Sequence, residues 1–167
     1  MMLPTVYLAG AIRDGKSEDI EWREDFVNEL EGKATFLNPL GGKLYHSGTG
    51  QWTVCGQPST ARAIVKQDFW CVDRADIIVA NLTPMASGYP SIGTIFELGR
   101  ATARGCVVYV ILDPGFTGHE NGKMYGLHPF IAENSAMTFA SVKEAIEFFD
   151  QYLDVLSGCE PNFGGVA

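Results

Sequence analysis

Two acidic residues stand where an ordinary amphipathic helix would not put them. Read at helical spacing, Ser91 to Gly105 (SIGTIFELGRATARG) carries a stripe of Ile92, Ile95, Phe96, Gly99 and Ala103, expected to lie against a sheet. Glu97 sits beside that stripe. Its neighbours one turn away are Gly93 and Ala101, so little side-chain bulk would cover its carboxylate. The helix expected from Ser59 poses the same question, because Asp68 falls among Ala61, Ile64, Val65, Phe69 and Val72. Desolvation there disfavours the charged form and raises the pKa, which suits a general acid. Glu97, near a helix start with amides and small residues around it, is expected to stay ionised and to serve as a nucleophile. The plainer alternative pairs Asp68 with Arg62 or Arg74, and Glu97 with Arg100 or Arg104, on a solvated face.

Both acids must be positioned by an alternation of strands and helices. Thr5–Ala9, Ala34–Asn38, Asp76–Leu82, Cys106–Leu112 and Ala136–Phe139 read as short strands. Ser17–Leu30, Ser59–Arg74, Ile92–Arg104 and Val142–Leu156 read as helices, the first with Ser17 as a candidate N-cap. Strands that are continuous apolar runs, alternating with helices, imply an α/β fold with a five-stranded, mostly parallel sheet covered on both faces. In such sheets ligands bind beyond the carboxyl ends of the strands, near the switch in strand order. That directs attention to Gly10–Ser17, to Asn81–Ser91 and to the loop after Leu112. A glycine-rich loop, Leu40–Pro58, carries Tyr45, His46 and Trp52, which could stack on or hydrogen-bond a flat ligand.

Composition bounds the partners. The 167 residues, 46% of them hydrophobic, suit one domain over 1–157 with a tail at 158–167. A formal charge of −8 opposes a grip on a nucleic-acid backbone and points to small molecules. Cys55, Cys71, Cys106 and Cys159 are dispersed, as reduced thiols of a cytosolic protein would be. No apolar run is long enough to cross a membrane, and the N-terminus lacks an export pattern.

Gly10 to Ser17 also fits G-x-x-x-x-G-K-[ST] between a strand and a helix, so a P-loop phosphotransferase using Lys16 enters the comparison. Ile12, Arg13 and Asp14 speak against it, because a phosphate nest prefers small residues there and an acid repels the anion. Backbone amides and Arg13 could still hold a single phosphate or a sugar hydroxyl. A nucleotide-binding module without chemistry is a third class.

Three blocks, Tyr7-Leu-Ala-Gly-Ala-Ile-Arg13, then Asp68 with Ala75 to Asn81, then Ser91-Ile-Gly93-Thr-Ile-Phe-Glu97-Leu-Gly99, resemble the signature of the nucleoside 2-deoxyribosyltransferase family, in family order. The resemblance implies a flavodoxin-like, Rossmann-like three-layer sandwich and cleavage of the N-glycosidic bond between 2-deoxyribose and a base. It also implies Glu97 as nucleophile, Tyr7 as the group that orients it and Asp68 as the handler of the proton on the departing base. Gly10, Ile12, Asn81, Gly93, His46 and Trp52 join Arg13 and Ser91 as expected substrate contacts. Where family transferases commonly carry an aspartate six residues before the nucleophile, this chain has Ser91. With Arg13, that looks more like the related hydrolases of 2′-deoxynucleoside 5′-monophosphates, since a hydroxyl and a cation favour a phosphate. Two carboxylates of divided role fit a retaining glycosyl transfer. Such chemistry needs no metal or redox cofactor, and His46, His119 and His128 are scattered. The expected partners are a deoxynucleoside or deoxynucleotide and a free nucleobase, no nucleic-acid polymer, no membrane, and further copies of the same chain in a homo-oligomer.

Overall fold

A computed structural model describes residues 3–12, 17–46, 49, 51–83, 91–113, 119–120, 123–124 and 128–158. Arg13, Lys16, the tail from Cys159 onward, most of the stretch before Ser91 and most of the loop after Leu112 lie outside them. Five strands form one parallel sheet: β1 (Thr5–Gly10), β2 (Thr35–Leu37), β6 (Ile77–Asn81), β7 (Val107–Ile111) and β10 (Met137–Phe139). Their order is β10-β7-β6-β1-β2, which is 2-1-3-4-5 when the parallel strands are counted along the chain. This is the flavodoxin-like order, and its switch falls between β1 and β6. Gly10 is in register with Asn81 there, so the carboxyl ends of both strands open at one place.

The strands divide their side chains by simple alternation. Val6 and Leu8, Ile77 and Val79, and Tyr109 and Ile111 face one side, where α1 (Ser17–Glu29) and α5 (Val142–Leu156) bring Trp22, Phe26, Phe149 and Leu153. Tyr7 and Ala9, Ile78 and Ala80, and Val108 and Val110 face the other, where α2 (Ala61–Val72) supplies Val72 and α3 (Ile92–Ala103) supplies Leu98 and Ala101. Thr60 caps α2, its Oγ1 accepting from the Ala63 amide at 3.1 Å, and Ser91 caps α3 in the same manner.

The long loop expected over Leu40–Pro58 is instead an antiparallel sheet of β3 (Lys43–His46), β4 (Gln51–Val54) and β5 (Gln57–Ser59). Cys55 (φ 49°) and Gly56 (φ 76°) both take positive φ between β4 and β5, the requirement of a two-residue hairpin turn whose twist suits the strands. Three or four residues per strand, broken by glycines, are too few to show a period of two. Short pieces β8 (His119–Glu120) and β9 (Lys123–Met124) pair with each other, and α4 (Pro129–Ala132) precedes β10.

Most of the apolar stripe assigned to the sheet-facing side of α3 lies on its outer face; Ile95 alone of the stripe packs against the core. Ile92 is 75% and Phe96 66% exposed, whereas Thr94, Glu97, Leu98 and Ala101 are buried. Periodicity picks out the more apolar face of a helix. In α3 most of that stripe looks outward, and the buried face mixes Thr94 and Glu97 with Leu98, Ala101 and the partly buried Ile95. On α2, Ile64 and Val72 are buried as expected, but Val65 is 48% exposed.

Candidate active site

A cavity of about 360 Å³ opens at the switch point, lined by Gly10 and Ile12 after β1, Trp52 on β4, Ala61, Ile64, Val65 and Asp68 on α2, and Ser91, Gly93, Thr94 and Glu97 at the start of α3. It therefore brings together the two acids, which lie on different helices, with five of the eight residues expected to touch substrate. Tyr7 reaches the same place from beneath: its hydroxyl donates to Glu97 Oε1 at 2.7 Å. Asn81 and His46 are not among the lining residues. Asn81 Oδ1 accepts from the Thr83 amide at 3.0 Å and so turns the chain at the end of β6. His46 is exposed, with Nε2 3.1 Å from Thr53 Oγ1.

The electrostatics differ from the sequence expectation. Burial is the largest influence on Glu97 and lifts its pKa to about 7, with the Asp68 charge adding to the rise. The Tyr7 hydrogen bond and the positive fields of Arg23 and Lys43 work in the opposite direction. Glu97 is thus poised near neutrality rather than held firmly ionised, because its carboxylate is enclosed between helix and sheet. Tyr7 is pushed far above the usual phenol range by burial and by the charges of Glu97 and Asp68, so it remains a donor. Burial also raises Asp68, as expected, but an unforeseen cation opposes the rise: Lys43 Nζ donates to Asp68 Oδ1. The Lys43 side chain is 1% exposed.

Three features of the site escaped the sequence reading. Lys43 belonged to a stretch taken for a glycine-rich loop, where a lysine is ordinarily solvated. Arg23, on an acidic amphipathic helix, turns out to be fully buried. Its Nε donates to the Leu8 carbonyl at 3.1 Å, Nη1 and Nη2 reach the Ala11 carbonyl at 3.4 Å, and the guanidinium lies over Trp22 at 4.7 Å. A Cβ on Gly10 would come within 2.8 Å of Nη2, so the glycine that opens the P-loop-like string makes room for Arg23. Thr94 is the third. Its Oγ1 is buried in the cavity wall with no hydrogen-bond partner among the described residues.

Ser91 has two uses. Its Oγ accepts from the Thr94 amide at 3.4 Å as the N-cap of α3, and its residue lines the cavity. An accepting hydroxyl keeps its own proton to donate.

A sequence profile of the nucleoside 2-deoxyribosyltransferase family matches residues 6–128. The chain belongs to that family. It is therefore an enzyme of the N-glycosyl transferase and hydrolase type, acting on small nucleoside-like substrates. Solved structures agree on the fold. A 2-deoxyribosyltransferase from Leishmania mexicana is 22% identical with a TM-score of 0.64, over 89% of this chain and 98% of that one. The 2-deoxyribosyltransferase of Bacillus psychrosaccharolyticus is 17% identical with a TM-score of 0.60, over 89% and 95%. The CMP N-glycosidase BcmB of Clostridium botulinum is 19% identical with a TM-score of 0.53, over 89% and 98%. No curated protein sequence matches this chain. Among the described residues, no helix is long and apolar enough to cross a membrane.

Proposed function

We propose that this enzyme cleaves the N-glycosidic bond of a 2′-deoxynucleoside or its 5′-monophosphate through a covalent deoxyribosyl ester on Glu97, passing the sugar to another base or to water. The observation that carries this reading is the meeting of Glu97, its Tyr7 donor and Asp68 around one cavity of about 360 Å³, which is of ligand size. Glu97 attacks the anomeric carbon in its ionised form, with the Tyr7 hydroxyl fixing one oxygen so that the other is presented. The C–N bond breaks, its electron pair goes to the base, and the base takes up a proton on the Asp68 side. Water or a second base then discharges the ester. Trp52 offers a flat surface to the base.

Ser91 favours a 5′-monophosphate over a free nucleoside. Its hydroxyl stands at the N-terminus of α3, where amides and the helix dipole attract an anion, and where a carboxylate would repel one. Arg13 is the expected second contact. The assembly we propose is a homo-oligomer seated on the outer faces of α2 and α3. Ile92, Phe96 and Val65 are exposed there, and residues 65, 91 and 93 of the same surface border the cavity. Its setting is cytosolic salvage of bases and deoxynucleosides.

Incubation with deoxynucleosides and with their 5′-monophosphates, followed by chromatography of the free base, tests the reading. Adding an acceptor base separates transfer from hydrolysis. The monophosphate is expected to react with the higher kcat/KM, and Glu97→Ala to abolish release. Undiminished release by that variant removes Glu97 from the role of nucleophile.

A further inference from the structure

Lys43 is the least expected charge in the molecule. Its ammonium is carried by a short strand of the small antiparallel sheet, its side chain is 1% exposed, and it meets Asp68 on α2. The sheet holds it there through its base: the Lys43 amide donates to the Leu40 carbonyl at 2.9 Å, and the Cys55 amide to the Gly42 carbonyl at 2.7 Å. Removing an ammonium and a carboxylate from water costs more than their attraction commonly returns, so a buried pair is a poor device for stability. Here the pair stands at the wall of the reaction cavity. It ties the sheet that carries Trp52 to the helix that carries the acid.

Other charged or titratable groups surround Asp68. Arg23 reaches it from α1, Tyr7 from β1, Glu97 from α3 and Cys71 from its own helix. Among the described residues Lys43 alone donates a hydrogen bond to its carboxylate. That hydrogen bond joins the ammonium and the carboxylate through one proton, which either group can carry.

Resting on the function proposed above, we infer that Lys43 is the positioning residue of base departure: the proton taken by the leaving base is held by the Lys43–Asp68 pair as a unit, and Lys43 delivers it through Asp68. As Glu97 forms its bond to the anomeric carbon, the C–N bonding pair moves to the base. Lys43 transfers its proton to Asp68 and Asp68 delivers one proton to the base, leaving a neutral amine beside a carboxylate. When water or an acceptor base attacks the ester, its O–H or N–H proton returns to the pair, and Glu97 leaves as a carboxylate. Over the cycle the pair gains and loses nothing, so a buried lysine needs no direct exchange with solvent.

The test compares two substrates. An unmodified purine deoxynucleoside must gain a proton as its base departs, whereas a 7-methylated one already carries a positive charge and leaves neutral. Lys43→Met should lower kcat/KM for the unmodified substrate by about 10²- to 10⁴-fold, the usual worth of a positioned acid, and for the methylated one by less than about tenfold. Lys43→Arg, which keeps a cation on Asp68 but cannot give up a proton, should not restore the selective loss. On an Asp68→Asn background, Lys43→Met should add no further loss, and melting temperatures of all variants establish that they fold. Equal loss on both substrates, or an added loss in the double variant, overturns the inference while leaving the glycosidic reading intact. Absence of base release by the wild-type enzyme from either substrate overturns that reading instead, and this inference with it.

Discussion

The two faces of the central sheet are built from the same strands and serve opposite ends. On the side of α1 and α5, Phe26, Tyr109, Phe139, Phe148 and Phe149 interlock, with ring centroids 4.9 Å apart for Tyr109 and Phe149 and 5.4 Å for Phe26 and Phe149. On the side of α2 and α3, the strands present Ala9, Ala80 and Val110, and the space that small side chains leave holds Glu97, Asp68 and the cavity. One face buries large apolar area, and the other encloses charge at an energetic cost. The alternation of Val6-Tyr7-Leu8-Ala9 assigns each residue to one face or the other. Active sites are commonly built at the expense of stability, and here both buried acids of the site lie on one side of the sheet.

This contrast can be broken first on the aromatic face. Phe149→Ala should cost about 3–5 kcal/mol of stability, through lost transfer energy and the void left behind. The folded variant should retain kcat/KM within about threefold, since Phe149 lies across the sheet from the cavity. Denaturant unfolding and base release, measured together, check this.

On the other face the sign reverses. The folded pKa of Glu97, about 7, lies above its unfolded value of 4.5. Whatever the protonated carboxyl contributes is therefore fully present below about 4.5 and lost as pH rises through 7. Glu97→Gln cannot ionise and still accepts from Tyr7. It should be more stable than wild type by about 3 kcal/mol near pH 9, at ~1.4 kcal/mol per pKa unit, and the gap should close toward acid pH. Urea melts at the two pH values read the difference, and a Gln variant no more stable at alkaline pH would mean that Glu97 is not desolvated.

A smaller effect sharpens the role of Tyr7. Wild-type kcat/KM should rise with pH through an inflection near 7 as Glu97 ionises. Tyr7→Phe removes a donor to that charge, worth about 1.5–3 kcal/mol, and should move the inflection up by about one to two pH units. The loss of rate should be greatest below neutrality and shrink above it.

Much of this was legible in the chain, for physical reasons that differ from element to element. The inner strands β1, β6 and β7 are buried on both faces and so appear as unbroken apolar runs, and the helix read from Ile92 begins there, capped by Ser91. Asp68 and Glu97 were recognisable because an acid in an apolar or small-residue setting breaks a helical pattern. The Lys43 and Arg23 cations were not, because their burial is created by elements distant in sequence. A lysine beside Gly41 and Gly42 carries no local sign that Asp68 will meet it. The outward stripe of Ile92 and Phe96 was misassigned for a related reason: hydrophobic periodicity reports which face of a helix is apolar, and not what covers it. The family resemblance supplied a role for Tyr7 that spacing could not have given, whereas its hydrogen bond to Glu97 is a property of the fold.

The central claim is that Glu97 becomes covalently attached to the sugar. A deoxynucleoside bearing a 2-fluorine in the arabino configuration destabilises the oxocarbenium-like transition states, and when its base is a good leaving group the intermediate accumulates. Mass spectrometry of the intact enzyme should then show the added mass of one fluorinated deoxyribosyl group, located after proteolysis on the peptide containing Glu97 and absent from Glu97→Gln. Base release without any adduct, or an adduct on another residue, contradicts the account.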